Sequence, residues 1–201
     1  MSKFYAVKVG KNPGIYKSWQ ECQSEVIGFK GAIYKSFTTI KEAEDFINQS
    51  SEKKNISVEN LNDDECLAYV DGSFKKDTGE YSFGCVLFHN EKIDKFNKKF
   101  PQSEFSTHRN VSGEVSGAVF AIKKALELQM REITIVYDYQ GIESWATGMW
   151  KTNNKLTQNY KKFIDHVKGK ININFVKVKG HSNDTYNDMA DRLAKDALGI
   201  K

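Results

Sequence analysis

The sequence predicts an α/β fold in two parts: a mixed five-stranded sheet with flanking helices, preceded by a small α/β domain with a three-stranded sheet. Three observations predict this fold class. Strand-like and helical patterns follow one another after residue 65 in the order βββ-α-β-α-β-α. The first 48 residues contain short alternating runs and two helix-start signals, and the segment after them is polar and acidic. We therefore predict a domain at 1–48, a flexible acidic linker at 49–65 and a second domain at 66–201.

The first domain is predicted from its turn and capping residues. Residues 4–9 alternate as a half-buried strand does, a Pro-Gly turn leads into a second strand, and residues 33–37 are predicted as a third. Capping boxes that begin at Ser18 and Thr39 each predict the start of a helix. Residues 1–41 carry seven lysines against two glutamates, so this domain is expected to contact a polyanion, unless the lysines only form a solvated basic face.

The second domain begins with three strand-like runs that form a hairpin meander, and it then alternates helices and strands. Strands are predicted at 66–74, 81–90, 93–100, 132–138 and 171–178, and helices at 111–128, 141–147, 156–167 and 184–198.

Composition excludes several classes of protein. The 201 residues are 39% apolar and 28% charged with a net charge of +4, which is typical of a globular protein. No apolar run approaches the roughly 20 residues of a membrane helix, and the first residues lack a signal peptide's apolar core. Three widely spaced cysteines without a C-x-x-C pair predict buried free thiols rather than a zinc knuckle or disulfides. We expect a cytoplasmic protein that does not contact a membrane.

Four acids are candidates for metal ligands. Asp71 and Asp138 each close an apolar run, where a charge is costly unless it is paired or bound to metal, although either could be a turn residue. Glu114 is in the first turns of a helix, as an inward carboxylate or as an acid favoured by the helix N-terminus. In the last helix the buried stripe leaves Asp188 and Asp191 as alternatives.

Four carboxylates without a cluster of Cys or His side chains favour hard cations, Mg²⁺ or Mn²⁺, over Zn²⁺. Two such ions about 4 Å apart suit displacement at phosphorus. His181 is on a loop before the last helix, where it could carry a proton or be an ordinary solvated histidine.

Together these residues resemble type 1 ribonuclease H across most of 66–200. The resemblance depends on YVDGS, the GE within NVSGEVSGA, VYD, and VKGHS followed by NDMADRLA. It implies a two-metal endoribonuclease that cuts the RNA strand of RNA–DNA hybrids and leaves 5′-phosphate and 3′-hydroxyl ends. It favours Asp191 over Asp188 and implies Mg²⁺ as the cofactor, with Mn²⁺ as a substitute.

The resemblance also implies a role for each matching residue. Asp71 would bridge both metals, Asp138 would hold the metals with it, and Asp191 would complete the attacking-side site. Glu114 would bind a metal and the RNA 2′-hydroxyl. Two further residues match. His181 would assist proton transfer or product release, and Asn110 would contact the minor groove.

The first domain resembles the hybrid-binding domain of such enzymes, through FYAVKVGKNPGIYKSWQEC and AIYKSF. The resemblance implies that Trp19 and Tyr34 pack on the DNA strand and that Lys35 contacts a phosphate, with Tyr5 a weaker candidate. Ser36 replaces a second lysine common in the family. The expected partner is an RNA–DNA hybrid, and this domain is also expected to bind double-stranded RNA. The protein is expected to be a monomer.

Two departures and two alternatives stay open. Tyr139 stands where many relatives carry Ser, and residues 145–160 are shorter and less basic than the family's basic protrusion. Trp145 and Trp150 are interpreted as core residues or as residues that stack on a DNA sugar. The alternative function is a catalytically weak protein that binds hybrids or double-stranded RNA, and a more remote one is a nuclease acting on DNA.

Overall fold

The computed structural model describes residues 3–29, 31–48, 58, 61–180 and 184–200. The chain divides into two compact units, Met1–Lys54 and Asn55–Lys201. Each unit has its own sheet, as the sequence predicts.

The first unit is a three-stranded antiparallel sheet in the order β2-β1-β3, with two helices. Its elements are β1 (Phe4–Val9), β2 (Gly14–Tyr16), α1 (Trp19–Val26), β3 (Ile33–Phe37) and α2 (Ile40–Asn48). Both predicted capping boxes are confirmed: Ser18 Oγ accepts the Glu21 amide, and Thr39 Oγ1 accepts the Glu42 amide. The sheet packs against α1 through Val7, which meets a buried stripe on that helix.

The second unit is a five-stranded mixed sheet in the order β6-β5-β4-β7-β8. The first three strands are antiparallel neighbours, and β4, β7 and β8 run parallel. The elements are β4 (Glu65–Lys75), β5 (Glu80–His89), β6 (Lys92–Phe100), α3 (Asn110–Glu127), β7 (Glu132–Tyr137), α4 (Gly141–Ala146), α5 (Lys155–Val167), β8 (Asn172–Lys177) and α6 (Thr185–Ala197), with a short 3-10 helix at Glu104–His108. The predicted mixed sheet is thus confirmed.

Helices cover both faces of this sheet because its central strands are apolar on both sides. Alternate residues of β4 point to opposite faces: Val70 joins the core under α3, whereas Tyr69 joins the core under α6. Ile122 on α3 and Ala190 on α6 are fully buried against these two faces.

Three glycines let the helices approach the sheet closely enough to bring distant acids together. A side chain at Gly72 on β4 would collide with the backbone of α3 at Asn110, and one at Gly113 on α3 would collide with β5. A side chain at Gly84 on β5 would collide with the Ala190 carbonyl of α6. These close contacts place the first turn of α3 and the middle of α6 beside the centre of the sheet.

The predicted linker is shorter at its C-terminal end than the sequence suggests. Leu61 packs against the core under α6, and the Asp64 carbonyl accepts the backbone amides of Arg131 and Glu132. Residues 61–65 therefore belong to the second unit, because an apolar side chain and backbone hydrogen bonds attach them to it.

The three cysteines are buried and free, as the sequence predicts. Among the residues that the structure describes, no helix combines the length and apolar character needed to cross a membrane.

Candidate active site

Two of the predicted acids lie side by side at one edge of the parallel strands. Asp138 directly follows β7. Asp71 closes the apolar run of β4 but lies inside the strand, as the predicted strand at 66–74 implies, because β4 stays paired with β5 as far as Lys75. Parallel pairing with β7 ends at Tyr69, opposite Val136, so each acid lies two residues beyond that last pair. Asp71 is thus held inside a strand and Asp138 at the end of one.

The third acid, Glu114, is brought to this edge by the first turns of α3. Its side chain is only 1% exposed. Asn110, one turn earlier, donates from Nδ2 to Glu114 Oε1 at 3.3 Å. Carboxylate oxygens of Asp71, Glu114 and Asp138 lie within 4.8 Å of one another. Three acids far apart in the sequence therefore form one cluster, and the inward orientation is the correct interpretation of Glu114.

Burial makes this cluster unfavourable as a group of bare charges. Burial, and next the charge of Asp138, raises the pKa of Asp71 to about 7. Burial, followed by the charges of Asp138 and Asp71, raises the pKa of Glu114 to about 9. Within the described part of the chain, Glu114 Oε2 is buried without a hydrogen-bond partner. A bound cation would offset the repulsion and give this oxygen a ligand role.

The fourth acid is Asp191 on α6, which lines the same cleft as Asp71. Its Oδ2 accepts from Lys195 Nζ at 2.6 Å, one turn further along the helix. Asp188 is exposed and is not among the described residues that line this cleft. The structure thus separates the two acids that the buried stripe of the helix left as alternatives.

His181 lies outside the described residues, so its predicted role stays a prediction. Its neighbour Gly180 is described and lies directly beside Asp138. A side chain at Gly180 would place its Cβ 2.6 Å from Asp138 Oδ2. Gly180 therefore lies against the carboxylate of Asp138, which would have to shift to admit a larger residue there.

Two cations in the cleft are not predicted from the sequence as functional residues. Arg109, just before α3, lines the cleft and has a backbone φ of 54°, which is uncommon for a residue with a side chain. Lys195 also lines it. No sequence signal singles out Arg109, whereas the i, i+4 spacing of Asp191 and Lys195 on a predicted helix is a readable signal for an ion pair.

In the first unit, three of the predicted nucleic-acid-binding residues form an aromatic cluster. Trp19 lies between the other two, with ring centroids 5.8 Å from Tyr5 and 5.7 Å from Tyr34. Trp19 is 42% exposed and Tyr34 is 44% exposed, so neither is a core residue. An exposed cluster of large aromatic side chains marks an interaction surface.

The fourth predicted residue of this unit, Lys35, is not part of the aromatic cluster. Neighbouring residues of a strand point to opposite faces, so Lys35 points away from the face that carries Tyr34. Its Nζ lies 5.7 Å from the ring centroid of Phe37. The structure therefore brings together three of these four predicted residues.

Comparison with known families covers both units. Residues 63–199, more than half of the chain, match the RNase H family model. The chain belongs to the ribonuclease H family. Residues 3–47 match the model described as the ribonuclease H1 N-terminal domain. The resemblance to ribonuclease H is thus confirmed, and so is the expectation that the chain is an enzyme of this family.

Relatives of the ribonuclease H family match either the second unit or nearly the whole chain. Ribonuclease H of Pseudoalteromonas translucida is 32% identical over 143 residues, covering 66% of this chain and 89% of the relative. Human ribonuclease H1 is 24% identical over 253 residues, covering 96% of this chain and 88% of the relative. The solved structure of LC11-RNase H1 in complex with an RNA/DNA hybrid has a TM-score of 0.53 at 16% identity, covering 66% of this chain and 99% of that one, which shows the fold.

Tyr139, which the resemblance marks as a departure, contributes to a second aromatic cluster. Its ring packs against Trp145 and Trp150, with centroids 5.7 Å and 6.5 Å away. Trp145 is buried, as predicted for a core residue, but Trp150 is 43% exposed. A side chain at Gly141 would collide with the Tyr139 ring, so this glycine leaves room for that ring.

Proposed function

We propose that the chain is an endoribonuclease that hydrolyses the RNA strand of RNA–DNA hybrids by a two-metal mechanism. The observation that carries the proposal is the buried cluster of Asp71, Glu114 and Asp138, with Asp191 lining the same cleft. Family membership supports the reaction class.

The residues of the cluster fit a divalent cation. Their ligand atoms are carboxylate oxygens, which Mg²⁺ and Mn²⁺ prefer. The unpartnered Glu114 Oε2 is a ligand atom that the described residues leave without a hydrogen bond. Asp71, Glu114 and Asp138 would hold one ion, and Asp71 with Asp191 the other. Two ions bound there would activate the attacking water and stabilise the leaving oxygen.

The chain's own groups prepare the cleft for this chemistry. Asn110 fixes the Glu114 carboxylate through its hydrogen bond, and its own exposed position at the cleft suits contact with the minor groove. Glu114 would also accept a hydrogen bond from the 2′-hydroxyl of the RNA strand. DNA lacks this group, so the contact would select RNA. His181 would assist proton transfer or product release. The expected products carry 5′-phosphate and 3′-hydroxyl ends.

The first unit is proposed to hold the hybrid through the cluster of Tyr5, Trp19 and Tyr34. Exposed aromatic rings can pack on deoxyribose sugars, which lack the 2′-hydroxyls of the other strand. The matched family model and the hybrid in the LC11-RNase H1 structure support this partner. Binding of double-stranded RNA by this unit, a monomeric state and a cytoplasmic location remain predictions.

The test is cleavage of an RNA–DNA hybrid labelled on both strands, beside matched RNA and DNA duplexes, in Mg²⁺, Mn²⁺ or EDTA. The proposal expects metal-dependent loss of the RNA strand of the hybrid alone. Binding of the hybrid without cleavage in either metal would contradict it and favour the alternative of a binding protein. Cleavage of the DNA duplex would favour a DNA nuclease.

A further inference from the structure

The fourth carboxylate of the cleft differs from the other three in already having a cation. Asp191 is paired with Lys195 at 2.6 Å, whereas Asp71, Glu114 and Asp138 face one another. The Asp191 side chain is 22% exposed, so its charge is less costly than the 1%-exposed Glu114. The two halves of the cleft therefore begin from different electrostatic states.

The Lys195 ammonium contacts one acid of the cleft and acts on a second. Lys195 lines the cleft together with Asp71 and Asp191. Its charge also acts on Asp71, where it lowers the pKa of that carboxyl against the larger opposing effect of burial. A single ammonium thus interacts with both acids that would hold the second metal.

A divalent cation between Asp71 and Asp191 would lie close to this ammonium. Like charges at short range repel, and Lys195 Nζ and the ion would compete for Asp191 Oδ2. Lys195 is 40% exposed and its side chain is flexible, so it can turn outwards when the ion binds.

We infer that Lys195 is a built-in counter-ion of Asp191 that competes with the second divalent ion and makes the two metal sites unequal. The inference rests on the proposed function. The ammonium neutralises Asp191 in the metal-free enzyme and leaves when metal binds, so the site formed with Asp191 is weaker than the site of the three clustered acids. Lys195 is accordingly a positioning residue that sets metal affinity.

The test measures Mn²⁺ binding to the full chain without nucleic acid. The electron paramagnetic resonance signal of free Mn²⁺ gives the amount that stays unbound. Lys195→Met should tighten the weaker site roughly fivefold, the scale of a partly exposed charge pair, and change the tighter site less. Lys195→Arg keeps the charge and should bind like the parent. Asp191→Asn should remove the weaker site whether or not Lys195 is present.

Lys75→Met is the matched control for losing one positive charge. Lys75 is on β4 of the same unit, and its Nζ bonds the Leu198 carbonyl at 3.5 Å rather than a cleft acid. Unchanged or weaker binding in Lys195→Met would overturn the inference, as would an equal gain in Lys75→Met. A parent chain that binds no Mn²⁺ would instead overturn the proposed metal centre, and the inference with it.

Discussion

The two candidate sites depart from ordinary burial in opposite directions. In the second unit, Glu114 is a charged residue type that is 1% exposed. In the first unit, Trp19 is a large aromatic residue that is 42% exposed. Buried acids and exposed aromatics both lower stability or solubility unless something binds them. The buried acid indicates a small cation as its ligand, and the exposed aromatic residue indicates a large partner surface. The two units of the chain therefore separate catalysis from substrate binding.

The largest expected effect is the loss of cleavage without the loss of binding. Asp138→Asn keeps the size of the side chain but removes a ligand charge from the cluster. We expect cleavage to fall at least about a thousandfold, equal to roughly 4 kcal/mol in the barrier, with hybrid affinity unchanged within about twofold. Single-turnover cleavage and equilibrium binding measure the two quantities.

Asp188→Asn is the matched control, because Asp188 is an exposed acid of the same unit outside the cleft lining. It should cleave like the parent. If Asp138→Asn cut hybrids at the parent rate, the assignment of catalysis to the acidic cluster would be contradicted.

The next effect concerns stability without metal. Burial raises the pKa of Glu114 from 4.5 to about 9, so its neutral form is favoured in the folded state. Below pH 4.5 the group is protonated in both states, and its contribution is fully present. As the pH rises towards 9, the unfolded chain ionises first and this contribution is lost. Glu114→Gln should therefore stabilise the metal-free protein by roughly 1–3 kcal/mol at pH 8 and by little at pH 4.5.

Thermal unfolding in EDTA at both pH values measures this difference. Glu127→Gln is the control, because Glu127 lies on the same helix, is 66% exposed and pairs with Lys124. It should show no gain that grows with pH. A stability difference for Glu114→Gln that is the same at both pH values would contradict the electrostatic account.

A smaller effect is expected from the aromatic cluster. Trp19→Ala removes the central ring, which contacts both Tyr5 and Tyr34. We expect hybrid affinity to fall about tenfold while the single-turnover rate at saturation stays the same, because ring contacts are worth about 1–3 kcal/mol. Ile27→Ala truncates an exposed apolar residue outside the cluster, 57% exposed against 42% for Trp19, and should bind normally. Normal affinity in Trp19→Ala would show that the cluster is not the attachment surface.

The smallest effect is expected from Lys35, whose side chain is directed away from the aromatic face. Lys35→Ala should weaken hybrid binding by less than about threefold and leave the slope of affinity against salt nearly unchanged. A loss as large as that of Trp19→Ala, with the slope reduced by about one, would show that this lysine contacts a phosphate on binding.

The fold and three of the four candidate acids could be predicted because short stretches of sequence carry them, whereas only the family resemblance favoured Asp191 over Asp188. Element order follows from local periodicity, and Asp71 and Asp138 each follow an apolar run. Their exact setting could not be predicted. The predicted strand at 66–74 places Asp71 inside β4, but the end of parallel pairing with β7 two residues before it depends on the neighbouring strands. The approach of α3 depends on the contact between Gly72 and Gly113, two residues distant in sequence.

Other features were readable in the sequence but are not obvious without the structure. The Asp191–Lys195 pair has helical i, i+4 spacing, and its meaning depends on which face of α6 enters the cleft. The orientation of Lys35 follows from strand alternation next to Tyr34. In both cases the sequence predicts the spacing of the two residues on their helix or strand. Which surface of the protein they face depends on tertiary contacts that the sequence does not show.

The central claim is that the buried acids form a cation site, and Mg²⁺ titration of the full chain at pH 7 tests it most directly. Glu114, with a pKa of about 9, and Asp71, with a pKa of about 7, must lose protons when metal binds. Calorimetry in buffers of different ionisation enthalpy should show release of on the order of one proton, and less in Glu114→Gln. Binding without proton release, or no binding at all, would contradict the claim.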